Sequence, residues 1–165
     1  MKTGLIFFIF CAISLSGLAQ TQPDPPYKRF PTVPPLKLLL PDSSTIFTDK
    51  DLKKNTPLFF ILFSPDCEHC QKETEEIIDK IDSFKNIQIV MATFMPVDKM
   101  KAFYDNYKLS RFSNIIVGYD MQYMLATYYR ISYTPFLAFY DKKGNLIDGI
   151  QGALPITKVL EYFRE

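Results

Sequence analysis

An α/β domain with a mixed central sheet flanked by helices is what this sequence predicts, on three observations. Strand-like and helix-like segments alternate from Leu36 onward, the pattern of helices packed on a sheet. The run Leu58–Phe63 is apolar throughout, as in a strand covered on both faces. The final runs, Phe136–Tyr140 and Leu146–Ile150, are joined by Asp141-Lys-Lys-Gly-Asn145, a hairpin signal. The chain's 165 residues, 47% of them apolar, suit one domain with a core of its own. Nineteen Lys and Arg against eighteen Asp and Glu leave a charge of +1 with no basic run, so nothing electrostatic favours nucleic acid or an anionic membrane surface. With no Trp, fifteen Phe and ten Tyr, the core is expected to be phenyl-rich.

The elements follow in order. Residues 1–19 place Lys2 before an uncharged apolar run, with Gly17 and Ala19 at the −3 and −1 positions of a cut before Gln20. That is the pattern of a secretory signal peptide, and the run is shorter than the roughly 20 residues a spanning helix needs. The phenylalanine before Cys11 argues against lipid attachment, so Cys11 is expected to leave with the leader, and the mature chain is expected to hold no membrane span. Residues 20–35 carry six of the twelve prolines. Such density favours extended polyproline geometry, and an exposed tether is expected.

The folded domain is expected to be 36–165. Leu36–Leu40 is a short apolar run closed by a turn cluster, and Leu58–Phe63 is the central strand. A helix is expected from Cys67 to Phe84, with Ile77, Ile78, Ile81 and Phe84 as its inward stripe. Ile87–Thr93 reads as a second buried strand, Val97–Tyr107 as a helix and Asn114–Gly118 as a strand. Asp120 is placed to cap a helix over Met121–Tyr129, and Pro155 to open one over Ile156–Phe163. The methionines 91, 95, 100, 121 and 124 sit at helical core spacing or near strand ends, which favours packing over copper binding.

Cys67 and Cys70 are the only thiols left after the leader, spaced C-x-x-C. A structural staple explains them poorly, because closing so short a loop removes little unfolded-chain entropy. Structural zinc needs four ligands, and haem attachment needs His where Gln71 stands. No metal site is expected. Redox chemistry remains, and position supports it. The pair follows a buried strand and the turn Ser64-Pro65-Asp66, at the start of a helix. There the free N–H groups and the helix dipole stabilise an anion and lower a thiol's pKa. Cys67 is expected to be the nucleophile and Cys70 the resolving thiol.

Cys67-Glu68-His69-Cys70 after a hydrophobic strand, with the distant Thr134-Pro135 before another, resembles the thioredoxin superfamily, and within it the extracytoplasmic TlpA/ResA-like thiol–disulfide oxidoreductases. The likeness runs from about Leu36 to the C-terminus. It implies a thioredoxin-like fold with a short N-terminal strand extension. It implies a redox-active Cys67–Cys70 disulfide with no other cofactor, and a cis bond before Pro135, where the Thr134 backbone meets an extended substrate segment. Glu73 matches an acidic residue that these proteins use near the thiols. By its i+3 spacing from Cys70 it lies on the inward side, where a half-buried carboxylate would move protons for Cys70. The other reading is a surface acid stabilised by the helix dipole.

The motif also departs from thioredoxin. Asp66 replaces the usual Trp, Glu68-His69 replaces Gly-Pro, and Ile61 stands where thioredoxin has a buried aspartate. Asp66 and Glu68 disfavour a thiolate at Cys67 whereas a protonated His69 favours one, so the motif leaves the potential open. The resemblance implies export across the inner membrane into the periplasm and reduction of disulfides in exported proteins, with protein thiols and disulfides and an upstream redox protein as partners. A disulfide oxidase or isomerase, and a non-catalytic binding module of the same fold, are the alternatives.

Overall fold

The structure is a computed structural model and describes residues 23–164. The expected leader and the first residues of the expected tether lie outside them. The described chain forms α1 (Pro26–Arg29), β1 (Lys37–Leu39), β2 (Ile46–Thr48), β3 (Leu58–Phe63), α2 (Glu68–Asp79) and β4 (Gln88–Thr93). It continues as α3 (Val97–Asn106), β5 (Ile115–Asp120), α4 (Met124–Tyr129), β6 (Phe136–Tyr140), β7 (Leu146–Gln151) and α5 (Ile156–Glu161). The strands make one mixed sheet of seven, in the order β2-β1-β5-β4-β3-β6-β7.

β3 lies at the centre of the fold for the reason its sequence suggests. All six of its residues are buried, and it pairs in parallel with β4 and antiparallel with β6. Alternation along it feeds two cores. Phe59, Ile61 and Phe63 face the side covered by α2, α3 and α5, where Phe59 stacks on Phe139 with ring centroids 5.2 Å apart. Leu58, Phe60 and Leu62 face the side covered by α4 and the segment before β1, where Leu38 of β1 joins the same cluster. The expected phenyl-rich core is present on both sides.

The hairpin β1–β2 is the strand extension, docked antiparallel on β5. A Cβ at Gly118 would come within 2.7 Å of the Leu38 Cβ, so a side chain there would push β1 off the sheet. At only three residues β2 is too short for its period to stand out in the sequence.

Of the expected tether, residues 23–35 are described: most are exposed, and Tyr27 and Pro34 are buried against the domain. The segment forms a strap docked on the domain. Pro25 and Pro26 open the single turn of α1, where a missing N–H costs nothing. Tyr27, 7% exposed, sits edge-on against Phe136 at 5.4 Å. Gly149 admits that ring, since a Cβ there would lie 2.7 Å from it. The strap's carbonyls supply the polar half of the contact. Those of Phe30 and Pro31 accept from the Tyr128 hydroxyl and the Leu146 N–H, each at 2.8 Å, and the Val33 N–H donates to the Gly144 carbonyl at 3.0 Å. Proline removes a donor but leaves its carbonyl free, so a proline-rich segment can dock through acceptors and one aromatic anchor.

Other boundaries also differ. The helix expected over 67–84 ends at Asp79, and Ile81–Phe84 is a separate 3-10 turn that still buries Phe84. α4 starts three residues later than expected, after Tyr123 in the left-handed region (φ 54°). Asp120 still caps it, from the end of β5, by accepting the Leu125 N–H at 2.8 Å. α5 begins at Ile156 after Pro155, as expected, but ends at Glu161 rather than Phe163. Met91 and Met100 are core residues, but Met121 is 45% exposed and does not pack as expected.

Candidate active site

β3 ends at Phe63, and the turn Ser64-Pro65-Asp66 reverses the chain into α2. Two contacts hold this turn. The Gln71 side chain donates to the Pro65 carbonyl at 2.8 Å, and Asp66 pairs with Lys99 of α3. Cys67 is therefore the cap of α2, in extended conformation, with its sulfur accepting the Cys70 N–H at 3.3 Å. The sulfur lies where a helix offers unpaired donors. Its own S–H donates to the Thr134 carbonyl at 3.4 Å, so β3 and the segment leading into β6 meet at this atom. The Thr134–Pro135 peptide bond is cis.

The two thiols differ sharply. Cys67 is partly exposed and Cys70 is only 2% exposed. Burial pushes the Cys67 thiol up, but hydrogen bonds from Cys70, Thr134 and the His69 N–H outweigh it and leave the thiol below its ordinary value. The groups that lower it are hydrogen-bond donors rather than cations. Burial pushes the Cys70 thiol up to about 12, with the neighbouring Cys67 sulfur adding to the effect. An accessible, easily ionised sulfur next to a buried one that holds its proton is the asymmetry thiol exchange uses.

Glu73 lies one turn beyond Cys70 and is 3% exposed, so of the two readings open for it the buried carboxylate is the one observed. Its Oε2 accepts the Leu154 N–H at 3.3 Å, while Oε1 is buried without a hydrogen-bond partner. Burial raises its pKa to about 7; the Leu154 N–H opposes the rise and the charge of Glu76 adds to it. Leu154 stands 81 residues away in the β7–α5 loop, and no local pattern pointed to it. Lys99 was missed for the same reason.

Glu68 and His69 are both exposed at the start of α2. Ile61, in the position of thioredoxin's buried aspartate, is fully packed in the core, which leaves Glu73 as the buried carboxylate on this helix. The larger cavities, about 490 Å³ each, lie away from the thiols, around Lys53 and Gln88 or around Ser83 and Phe163. Exchange with a protein disulfide proceeds at an exposed sulfur and needs no enclosed pocket. Among the described residues no group of three or more His, Cys, Asp or Glu is arranged to hold a metal ion.

Comparison with known proteins adds the following. The thioredoxin-like domain family matches residues 48–165. No curated protein matches the chain. A putative thioredoxin from Neisseria meningitidis is 19% identical with a TM-score of 0.64, over 79% of this chain and 85% of that one. A secreted Mycobacterium tuberculosis disulfide oxidoreductase, described as homologous to E. coli DsbE, is 17% identical with a TM-score of 0.64, over 77% and 92%. StoA from Bacillus subtilis is 14% identical with a TM-score of 0.60, over 81% and 100%. At these identities the likeness is one of fold, and it agrees with the resemblance to TlpA/ResA-like proteins.

Proposed function

Because the chain belongs to the thioredoxin-like domain family, we propose that it is a secreted thiol–disulfide oxidoreductase that reduces disulfides of exported proteins through Cys67 and Cys70. The observation that carries the exchange is the opposed state of the two sulfurs, one lowered and accessible, the other raised and buried, while the reducing direction follows the resemblance to TlpA/ResA-like proteins. The Cys67 thiolate attacks one sulfur of a substrate disulfide. A Cys67–substrate disulfide forms, and the other substrate sulfur leaves as a thiolate. Cys70 then gives its proton to the Glu73 carboxylate and attacks the Cys67 sulfur, releasing the second substrate thiolate. Two electrons have passed to the substrate and a Cys67–Cys70 disulfide remains. An upstream dithiol protein restores the pair by the same exchange in reverse.

Thr134 and Pro135 form the wall against which the substrate chain lies. Glu68 and His69, exposed beside the nucleophile, adjust its charge environment. The periplasm is the proposed location, on the strength of the leader pattern; no described helix is long and apolar enough to cross a membrane. Insulin reduction tests the assignment. The wild-type protein is expected to reduce insulin, Cys67→Ser to lose the activity, and Cys70→Ala to accumulate mixed disulfides with its substrates. Full activity in Cys67→Ser contradicts the proposal.

A second reading, disulfide introduction, draws on the lowered Cys67 thiol, since a stabilised thiolate makes the reduced form more favourable and the dithiol more oxidising. Equilibration with glutathione separates the two. A potential near −270 mV, the thioredoxin end of the range, supports reduction, and one near −120 mV, the DsbA end, supports oxidation.

A further inference from the structure

The segment that meets Cys67 is held by a side chain with no part in the chemistry. β6 and β7 pair antiparallel from Tyr140↔Leu146 to Phe136↔Gln151. One more backbone bond follows, from the Gly152 N–H to the Pro135 carbonyl at 2.8 Å. Pro135 has no N–H to return, so the ladder stops there. Residues 132–134 continue towards the thiols without a partner strand, and their backbone groups need other partners.

Gln151 supplies them. Its Oε1 accepts the Ser132 N–H at 3.1 Å and its Nε2 donates to the Tyr133 carbonyl. A primary amide offers an acceptor and two donors in a plane, so it can replace the missing peptide group of a partner strand. The Tyr133 ring, 60% exposed, also lies against this strand, 3.7 Å from where a Gly152 Cβ would be. What remains is Thr134. Its carbonyl takes the Cys67 S–H with one lone pair, and its N–H has no acceptor among the described residues.

We propose that Gln151 is a positioning residue of this site. Its amide bridges Ser132 and Tyr133 and so holds the segment with the Thr134 peptide group as the one rung on which an extended polypeptide can pair beside Cys67. The inference rests on the proposed exchange with protein disulfides and adds what fixes the register of the substrate chain. The clamp favours extended polypeptide substrates over small disulfides, which have no backbone to pair.

Gln151→Leu removes both bonds at similar volume, and Gln151→Glu keeps the acceptor but sets a carboxylate oxygen against the Tyr133 carbonyl. Both variants are compared with wild type on insulin and on 5,5′-dithiobis(2-nitrobenzoate), with exchange of the Ser132 amide followed by NMR. For Gln151→Leu, kcat/KM on insulin is expected to fall about tenfold, the loss of roughly one or two hydrogen bonds, carried mainly by KM. The small disulfide should react within about twofold of wild type, and the Ser132 amide should exchange about tenfold faster. Gln151→Glu should keep the Ser132 protection yet lose insulin affinity. Parallel losses on both disulfides, an unchanged insulin KM or an unchanged Ser132 amide would overturn the inference. Wild-type protein inert towards both disulfides would instead defeat the functional reading. The Ser132 amide then decides the clamp, faster exchange in Gln151→Leu upholding it and unchanged exchange refuting it.

Discussion

The two faces of the sheet bury polar groups in opposite ways. On the face covered by α4, the hydroxyls of Tyr129 and Tyr140 lie 2.7 Å apart and satisfy one another, and burial raises both far above the ordinary tyrosine value. Neither changes its protonation at any pH the protein meets. On the face covered by α2, the Thr74 hydroxyl is satisfied by the Cys70 carbonyl, but the buried Cys70 thiol and Glu73 carboxyl lie beside it, and the latter keeps an oxygen without a partner. Its raised pKa, about 7, lies where a proton can move in either direction. A polar pair closed on itself stabilises a core; one left open stores the capacity for chemistry at some cost in stability.

The contrast can be broken most severely at Glu73. Glu73→Gln is expected to slow disulfide exchange on the order of 10²-fold at neutral pH and to remove the limb near pH 7 from the pH–rate profile. An unchanged profile would remove Glu73 from the mechanism. The same variant should stabilise the fold in one direction only. The folded pKa of about 7 stands above the usual 4.5, so the group's contribution is intact below about pH 4.5 and lost as pH rises through 7. Glutamine stays neutral throughout, and denaturation at pH 8 should show a gain of at most about 3 kcal/mol that vanishes at pH 4. A gain of equal size at both pH values would show that the charge is not its source.

The tyrosine face sharpens the contrast with smaller effects. Tyr129→Phe leaves the Tyr140 hydroxyl buried without a partner and should cost about 1–3 kcal/mol in urea denaturation, with insulin reduction unchanged. Replacing both tyrosines by phenylalanine should be closer to neutral, because no orphan remains. A double variant less stable than either single one would mean that the pair is worth more than its desolvation.

The thiol site was largely legible in the sequence because its determinants are local. An uninterrupted apolar strand, a proline turn and a C-x-x-C put the first cysteine at a helix cap, whereas the helical period left Glu73 between an inward and a surface reading that only the packing decided. The segments whose contacts the sequence did not show are those with distant partners. Tyr27 anchors the proline-rich segment on Gly149 and Phe136, more than a hundred residues away, so composition suggested a tether but not the place where it docks. Gln151 belongs to the same class. Nothing around it in the sequence marks an amide that replaces a peptide group, because its partners Ser132 and Tyr133 are set by the β6–β7 register. Local period and motif identify the reacting atoms, and strand register decides what holds them.

The most direct test of the account is the pH dependence of iodoacetamide alkylation in the reduced protein, with the two cysteines resolved by peptide mass. The account predicts that Cys67 reacts with a midpoint below the ordinary thiol value of 9.0, while Cys70 stays unmodified until the pH approaches about 12. Equal midpoints, or Cys70 reacting first, would contradict it.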